Sequence, residues 1–320
     1  MAGVHGDAAA VVSRFGTWIN AQPHLQRLVR RELRGKTLKP SDGHASVLAA
    51  LAGSAGPSDI PAFVYGSNLR GINGASAALF AKRWRQARDG VGSGPNGNGY
   101  AIPTKDYRIE PLPLPRVQSG VAAFLEHAAT RPSSLFEVTR IGCGLAGFTD
   151  AQIAPLFFDA PANVVLPYRW QQLRDPALPA RVIVAGSQGF DDPARLDAAL
   201  DRILSHLDDP VLVSGAARGA DTLGEHYAMS RRGDRDVPFL RFPAEWNRYG
   251  KAAGFVRNQQ MAWAASHLVA FWDGESPGTR HMIETAEAEG LSVRVVRFDP
   301  AGPRIDRPTP PPVQGGPDCM

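Results

Sequence analysis

Three short glycine-bearing segments in the C-terminal half each follow a run of apolar residues, and their composition suits a phosphate group. They are Gly186 with Ser187 after VIVA, Ser214 with Gly215 after VLV, and residues 274–279 after VAFWD. Small residues let backbone N–H groups approach anionic oxygens, and a helix that starts after such a turn adds the positive end of its dipole. Arg218 and Arg257 could pair with the same oxygens through two parallel hydrogen bonds. The pattern therefore predicts a site for a phosphate-bearing ligand.

Several members of this site also have a structural interpretation. Asp221 would either bond a ribose hydroxyl or cap the helix beside it, and the sequence favours neither. Trp246, Tyr249 and Trp272 would stack on a base or fill the core, and core packing is favoured. Asn258 follows a glycine-rich segment, where a ligand role is better motivated than packing. The predicted ligand-binding residues of this half are Gly186, Ser187, Ser214, Gly215, Arg218, Asp221, Arg257, Asn258, Gly274, Ser276, Gly278 and Thr279.

A second glycine-rich pair of loops lies in the middle of the chain. FVYGSN indicates a strand that enters a turn, and VTRIGCGLAGFTD, with a strand predicted over 138–144, indicates another. We expect one cleft between them, in which the 142–147 loop wraps a diphosphate and Asn68 contacts a ribose. The predicted ligand-binding residues here are Gly66, Ser67, Asn68, Gly142, Gly144 and Gly147.

The candidates for catalysis in this middle part are Asn68, Asn73 and Asp106. Asp106 and Asp150 would position a water molecule, although turn and cap roles are equally expected. Cys143 lies between two glycines with no histidine at an obvious pairing position, so packing is favoured over a nucleophilic role. The catalytic residues, if any, stay open at this point.

Composition narrows the class of protein. The 320 residues carry 35 basic and 31 acidic side chains, a formal net charge of +4, and 43% hydrophobic residues with no long apolar run. The charges lack the dense basic runs of a nucleic-acid surface, and nothing predicts a membrane span or a secretory signal. With only Cys143 and Cys319, we expect neither a disulfide nor a metal site. We expect a cytoplasmic protein with a small anionic ligand.

The elements that must position these residues alternate between strand and helix patterns. In the C-terminal half five apolar runs alternate with helical segments, which predicts a parallel sheet. Residues 168–180 are interpreted as a connector. The fold class is therefore α/β, divided into a helical N-terminal segment over 1–57, an α/β unit over 58–175, a Rossmann-like unit over 181–298 and a proline-rich unfolded tail over 299–320.

The C-terminal half also resembles a known family. G-S-x-x-F-D-D, S-G-A-A-R-G-A-D and F-W-D-G-x-S-x-G-T, in this order, are similar to the YspA/YpsA-related branch of the SLOG superfamily. The resemblance implies a Rossmann-like fold and a ligand such as NAD, ADP-ribose or a cyclic derivative. Related phosphoribohydrolases carry a glutamate three residues after the threonine that matches Thr279, where this chain has Met282. A binding module is therefore favoured over a hydrolase.

Two weaker resemblances concern the rest of the chain. G-S-N-L-x-G, Y-A-I-P-T-K-D and I-G-C-G-L-A-G-F resemble an uncharacterised phage and bacterial family that is similar in turn to macro domains, which bind ADP-ribose. Residues 9–52 resemble the C-terminal half of another small uncharacterised domain. That domain usually carries cysteines where this chain has TLKPSDG, so His44 alone predicts no metal site.

Together these patterns predict binding of a nucleotide-derived ligand in NAD or ADP-ribose metabolism or signalling. One alternative is an N-glycosidic hydrolase of ADP-ribose or nucleotide substrates. A second is a nucleic-acid module akin to the DNA-processing branch of SLOG, which would need a basic stripe beside the sheet. The sequence leaves open the exact nucleotide, its hydrolysis, cooperation between the two clefts, and whether the protein is a homo-oligomer.

Overall fold

The computed structural model describes residues 61–132, 134–230 and 237–299. Within these ranges the chain forms two α/β units, each around a five-stranded sheet. The helical segment predicted over 1–57 and nearly all of the tail predicted over 299–320 lie outside the described residues.

The first unit holds a mixed sheet in which only the edge strand β2 is antiparallel, in the order β2-β3-β1-β4-β5. Its strands are β1 (Ala62–Asn68), β2 (Gly94–Pro95), β3 (Gly99–Lys105), β4 (Phe136–Val138) and β5 (Val164–Val165). Its helices are α1 (Ser76–Trp84), α2 (Leu114–Ala129), α3 (Asp150–Ile153) and α4 (Tyr168–Arg174), with a 3₁₀ turn at Ala154–Phe157. Because β1 lies between β3 and β4, the loops that follow these three strands leave the same edge.

The second unit is a parallel sheet with the order β10-β9-β6-β7-β8. Its strands are β6 (Arg181–Gly186), β7 (Val211–Ser214), β8 (Phe239–Arg241), β9 (His267–Trp272) and β10 (Ser292–Arg297). Its helices are α5 (Pro193–Leu204), α6 (Ala220–Ser230), α7 (Trp246–Tyr249), α8 (Ala253–Trp263) and α9 (Pro277–Ala288), with a 3₁₀ turn at Gly250–Ala252. This confirms the predicted α/β class and Rossmann-like sheet.

The strand order of the second unit reverses direction next to β6. The chain adds β7 and β8 on one side of β6, then returns to add β9 and β10 on the other. In open parallel sheets, such a switch point leaves a crevice between the two loops that depart in opposite directions, and ligands bind there. The fold therefore places the turns after β6 and β9 at one crevice.

Local sequence explains the elements that frame this crevice. In α5, Leu196, Leu200 and Leu204 recur every four residues and are all buried, so they form the face that packs on the sheet. Asp192 is the N-cap of this helix, and its carboxylate accepts a hydrogen bond from the Arg195 N–H at 2.9 Å.

Two expectations about elements were wrong. The strand predicted over 138–144 ends at Val138, and the chain turns through Gly142, which has a φ of +74°. The predicted connector over 168–180 begins with α4. Its Tyr168 and Trp170 are fully buried, and this burial stabilises the short helix. Composition alone does not predict such a helix.

The two units share a buried contact. Trp263, at the end of α8, has its ring centroid 5.3 Å from those of both Phe63 and Phe80 in the first unit. Arg140 donates to the Ala288 carbonyl at 2.9 Å, close to the end of α9. Arg85 lies over the rings of Phe63 and Phe80 and contacts the Tyr249 hydroxyl at 3.4 Å. The described part of the chain contains no helix that is both long and apolar enough to cross a membrane.

Candidate functional site

The floor of the crevice is formed where β6 and β9 end side by side. The Ser187 N–H donates to the Phe271 carbonyl at 2.9 Å, and the Asp273 N–H donates to Ser187 Oγ at 3.3 Å. Ser187 is only 2% exposed, so these bonds fix its hydroxyl in place. A Cβ on Gly186 would overlap the Phe271 carbonyl oxygen, which explains the glycine at this position. The two turns are therefore joined into one rigid base.

Open space lies beside one glycine after each of these two strands. A Cβ on Gly189, after β6, or on Gly278, at the start of α9, would meet no other atom within 4 Å. No side chain caps α9, and its N-cap residue Ser276 directs its hydroxyl to Asp273 instead. The N–H groups of the first turn are thus left for solvent or a ligand.

The turn after β7 differs from the predicted phosphate cradle, because a carboxylate of the chain itself occupies it. Asp221 accepts the N–H of Gly215 at 3.0 Å and also that of Ala217. The Ala216 N–H donates to Ser214 Oγ at 3.0 Å. The backbone donors expected to hold a phosphate are therefore already paired in this conformation.

Asp221 is 2% exposed and is the second residue of α6, and its carboxylate accepts N–H groups of the preceding turn rather than of the helix itself. Its burial raises its pKa to about 6, and the positive charge of Arg257 opposes this rise. A ribose contact by Asp221 would require the turn to open, so that role stays a prediction. Glu225 supports the turn by accepting hydrogen bonds from Ser214 Oγ at 2.7 Å and Arg241 Nε at 2.9 Å.

Arg257 and Asn258 are positioning residues in this structure. Arg257 donates to the Gly215 carbonyl and lies 3.7 Å from the Asp221 carboxylate. Asn258 is 4% exposed, accepts from Arg257 Nε at 3.0 Å and donates to the Gly278 carbonyl at 3.1 Å. Asn258 therefore connects α8 to the start of α9 and is buried, and its ligand role stays a prediction.

The turn after β9 is likewise organised by an aspartate. Asp273 accepts hydrogen bonds from the Ser276 hydroxyl at 2.6 Å and from the N–H groups of Ser276 and Glu275 at 2.8 Å and 2.9 Å. Burial raises the pKa of Asp273, but these hydrogen bonds outweigh burial and lower it to about 2. The sequence analysis missed Asp273. The sequence does contain a pattern that predicts this role. An aspartate at a strand end, followed by a serine three residues later, is the spacing of a turn that a side-chain hydrogen bond closes.

Arg218 is the predicted ligand-binding residue whose positive charge is not paired with a described carboxylate. It is exposed, its Nη2 contacts Gln188 Oε1 at 3.3 Å, and it forms no ion pair with any described carboxylate. It therefore connects the loops after β6 and β7 beside the crevice. Gly274 and Thr279 lie in the turn and first helical turn after β9, so these loops lie together as predicted.

The aromatic residues have three different environments. Tyr249 is 5% exposed and packs on Trp84, as the favoured core interpretation expected. Trp246 is 63% exposed, so core packing was wrong for it: it begins the short helix α7 on the solvent side. Trp272 is half-buried beside Arg280 and Arg297.

In the first unit, the turns after β1, β3 and β4 meet at one edge. A Cβ on Gly66 would lie 3.4 Å from the Gly142 nitrogen, and Thr104 Oγ1 donates to the Ser67 carbonyl at 3.1 Å. A Cβ on Gly144 or Gly147 would meet no atom within 4 Å. In contrast to the turn after β7, no carboxylate accepts the N–H of Gly144 among the described residues. The N–H groups of Cys143, Gly147 and Phe148 donate to carbonyls of the same loop, whereas that of Gly144 has no acceptor among the described residues.

Asn68 closes the loop after β1. Its amide nitrogen donates to the Ile72 carbonyl at 2.8 Å, and its oxygen accepts the Ile72 N–H at 3.1 Å. Because both ends of the amide are paired, a contact between Asn68 and ribose would need this loop to move, and it stays a prediction.

The remaining catalytic candidates have structural partners. Asn73 is 1% exposed and donates to the Arg88 carbonyl at 3.0 Å, while its Oδ1 is buried with no partner among the described residues. Asp106 accepts the N–H groups of Arg108 and Glu110 at 2.7 Å and 3.0 Å, a turn role. Burial raises the pKa of Cys143 to about 12, which disfavours a thiolate.

Asp150 belongs to the contact between the units. It accepts two hydrogen bonds from Arg140 at 2.8 Å, one from Arg169 Nε at 2.8 Å and one from Trp170 Nε1 at 2.6 Å. Burial raises its pKa, but these donors lower it to about 2. Its predicted role in positioning water is not supported by this environment.

Comparison with known proteins agrees with the parallel sheet of the second unit. Residues 180–249 match the YAcAr family, described as the YspA, cpYpsA-related SLOG family. The chain is also 36% identical over 117 residues to the Gene 61 protein of Mycobacterium phage D29, which covers 35% of this chain and 93% of the phage protein. No solved structure matches the chain. The chain therefore belongs to the same family as the Gene 61 protein and carries, in residues 180–249, a segment of the YspA, cpYpsA-related SLOG family.

Proposed function

We propose that the second unit binds a nucleotide-type ligand in the crevice between the loops after β6 and β9. The observation that carries this proposal is the start of α9 at Gly278, where no side chain among the described residues caps the helix and a Cβ would meet no atom within 4 Å. A helix start with free N–H groups at a switch point favours a phosphate. Membership in a SLOG family supports the same ligand class.

The charged side chains around the crevice suit two different parts of a ligand. Arg218 brings a positive charge that no described carboxylate neutralises, so it suits an anionic oxygen. Asp273 presents a carboxylate that stays ionised because of its low pKa, and such a group accepts hydrogen bonds from ribose hydroxyls. We therefore propose a ligand with both a phosphate and a sugar, such as NAD, ADP-ribose or a cyclic derivative.

Thermal unfolding of the full chain with NAD, ADP-ribose, cyclic ADP-ribose, AMP and nucleoside triphosphates tests this proposal. A ligand present at about 100 times its Kd should stabilise the protein by about 2.7 kcal/mol. We expect Arg218→Ala to weaken the response roughly tenfold in apparent Kd, because a charge-assisted contact is lost. Arg202→Ala removes an exposed arginine at the far end of α5 and should leave the response unchanged. No stabilisation by any of these compounds would overturn the proposal.

For the first unit we propose a second site of related chemistry at the edge formed by β1, β3 and β4. The support is the open space beside Gly144 and the N–H of Gly144, which has no acceptor among the described residues and is able to approach the phosphates of an ADP-ribose-like ligand. The Cβ of Gly144→Val would project into this space without contacting any other atom within 4 Å. In the full chain we expect calorimetry to lose one binding step for ADP-ribose with Gly144→Val and to keep it with Gly254→Val, which changes a glycine outside the site where a Cβ likewise meets no atom within 4 Å. Unchanged titration by both variants would remove the second site.

A further inference from the structure

Two arginines meet at one indole ring beside the crevice. The guanidinium carbon of Arg297, the last residue of β10, lies 4.0 Å from the ring centroid of Trp272, and that of Arg280, in α9, lies 5.7 Å from it. Trp272 ends β9 and pairs directly with Arg297 across the sheet. Sheet register and helix position therefore bring both guanidinium groups close to one indole ring.

Among the described residues, no carboxylate forms an ion pair with either arginine. Neither Arg280 nor Arg297 forms an ion pair within the described part of the chain, and both residues are exposed. The guanidinium of Arg195 adds a third charge nearby, since it donates to the Arg297 carbonyl. Like charges held close together repel, and an anion between them relieves that repulsion.

The cluster adjoins the turn that borders the ligand crevice. A Cβ on Gly274 would lie 2.6 Å from Arg297 Nη1, so this guanidinium covers the backbone of the turn after β9. The Nε1–H of Trp272 is buried and has no acceptor among the described residues. An unpaired buried donor is unfavourable, so the indole offers a hydrogen-bond donor close to the two arginines.

We propose that Arg280, Arg297 and the Trp272 indole form an oxyanion subsite for the distal phosphate of a ligand with at least two phosphate groups. The near end of that ligand would contact the start of α9 and Arg218, and the far end would cross the turn at Gly274. This assignment of two phosphates rests on the proposed function. It favours diphosphate-bearing ligands over nucleoside monophosphates.

Isothermal titration of the full chain with inorganic pyrophosphate tests the subsite without a nucleotide. We expect Arg280→Ala and Arg297→Ala each to weaken pyrophosphate binding roughly tenfold or more, because each loses a charge-assisted contact. Arg297→Lys keeps the charge but not the fork of donors, so its affinity should be intermediate. Arg294→Ala is the matched control, since Arg294 is exposed on the same strand and touches neither Trp272 nor the turn.

The outcomes separate this inference from the proposed function. Pyrophosphate binding that is lost in the two alanine variants supports the subsite even if no nucleotide stabilises the protein. Equal pyrophosphate affinity in wild type, Arg280→Ala and Arg297→Ala overturns it, even if NAD or ADP-ribose binds. Absence of pyrophosphate binding by the wild type at millimolar concentration overturns it as well.

Discussion

Asp221 and Asp273 occupy the backbone donors of the two turns in which they lie. One is buried and has a pKa raised to about 6, and the other has a pKa lowered to about 2 by hydrogen bonds that outweigh its burial. Two carboxylates of the same type therefore differ because of their surroundings alone. With these donors taken, anion binding at this edge depends on side chains such as Arg218 and on the start of α9.

Arg257→Ala tests the role of the buried ion pair. Asp221 has its pKa raised by burial and lowered by Arg257, so removing the arginine leaves the carboxylate buried without its cation. We expect a loss of about 3 kcal/mol in the free energy of unfolding at pH 8. A folded-state pKa above the ordinary 3.8 means that stability falls as pH rises through about 6. The loss should therefore be smaller at pH 5, and urea unfolding that shows equal losses at both pH values would contradict this account.

Asp150→Asn tests the opposite case. The pKa of Asp150 is lowered from 3.8 to about 2, and its side chain is 11% exposed. A depressed pKa gives stability that is present above about pH 4 and is lost as pH falls toward 2. We expect the variant to lose about 2 kcal/mol at pH 7 and much less near pH 2.5 in urea unfolding. Asp159→Asn, at an exposed site, is the control, and a loss independent of pH would argue against the ion pairs as the cause.

At the scale of elements, α8 connects the crevice to the rest of the molecule. Asn258 in its middle donates to the Gly278 carbonyl, and Trp263 at its end packs on the first unit. We expect Asn258→Ala to cost about 2 kcal/mol, because Gly278 and Arg257 each lose a buried partner. Gln260→Ala, on the same helix, should stay near wild type, since the described residues give its side chain no hydrogen bond. An equal free energy of unfolding for both variants in urea would refute the role of Asn258 in connecting α8 to α9.

The elements were easier to predict from the sequence than the contacts of the site. The strand β6 follows from a run of buried aliphatic residues before a glycine, and the same holds for β7 and β9. Local patterns do not show where a long side chain points. Arg257 was expected to meet a ligand, but the fold brings it to Asp221, which is 36 residues earlier in a chain of 320. The helix α4 was missed for a similar reason, because the burial of Trp170 arises only in the tertiary structure.

At the scale of the whole molecule, the two units are expected to unfold together. Trp263 is 4% exposed and belongs to a core that otherwise consists of first-unit residues such as Phe63. Truncation to alanine would remove these ring contacts and leave a cavity, so we expect Trp263→Ala to cost about 3–5 kcal/mol. Calorimetric unfolding of the wild type should show a single transition, and Trp263→Ala should lower it or split it into two. Two well-separated transitions in the wild type would contradict the shared core.

The central claim is that a ligand lies against the start of α9. Gly278 and Gly254 are each the second residue of a helix, and a Cβ at either position meets no atom within 4 Å, so we expect Gly278→Leu and Gly254→Leu both to fold. The direct test is isothermal titration of both variants and the wild type with the nucleotide that stabilises the full chain most. We predict that Gly278→Leu abolishes this binding while Gly254→Leu keeps the wild-type Kd. Wild-type affinity in a folded Gly278→Leu protein would contradict the account.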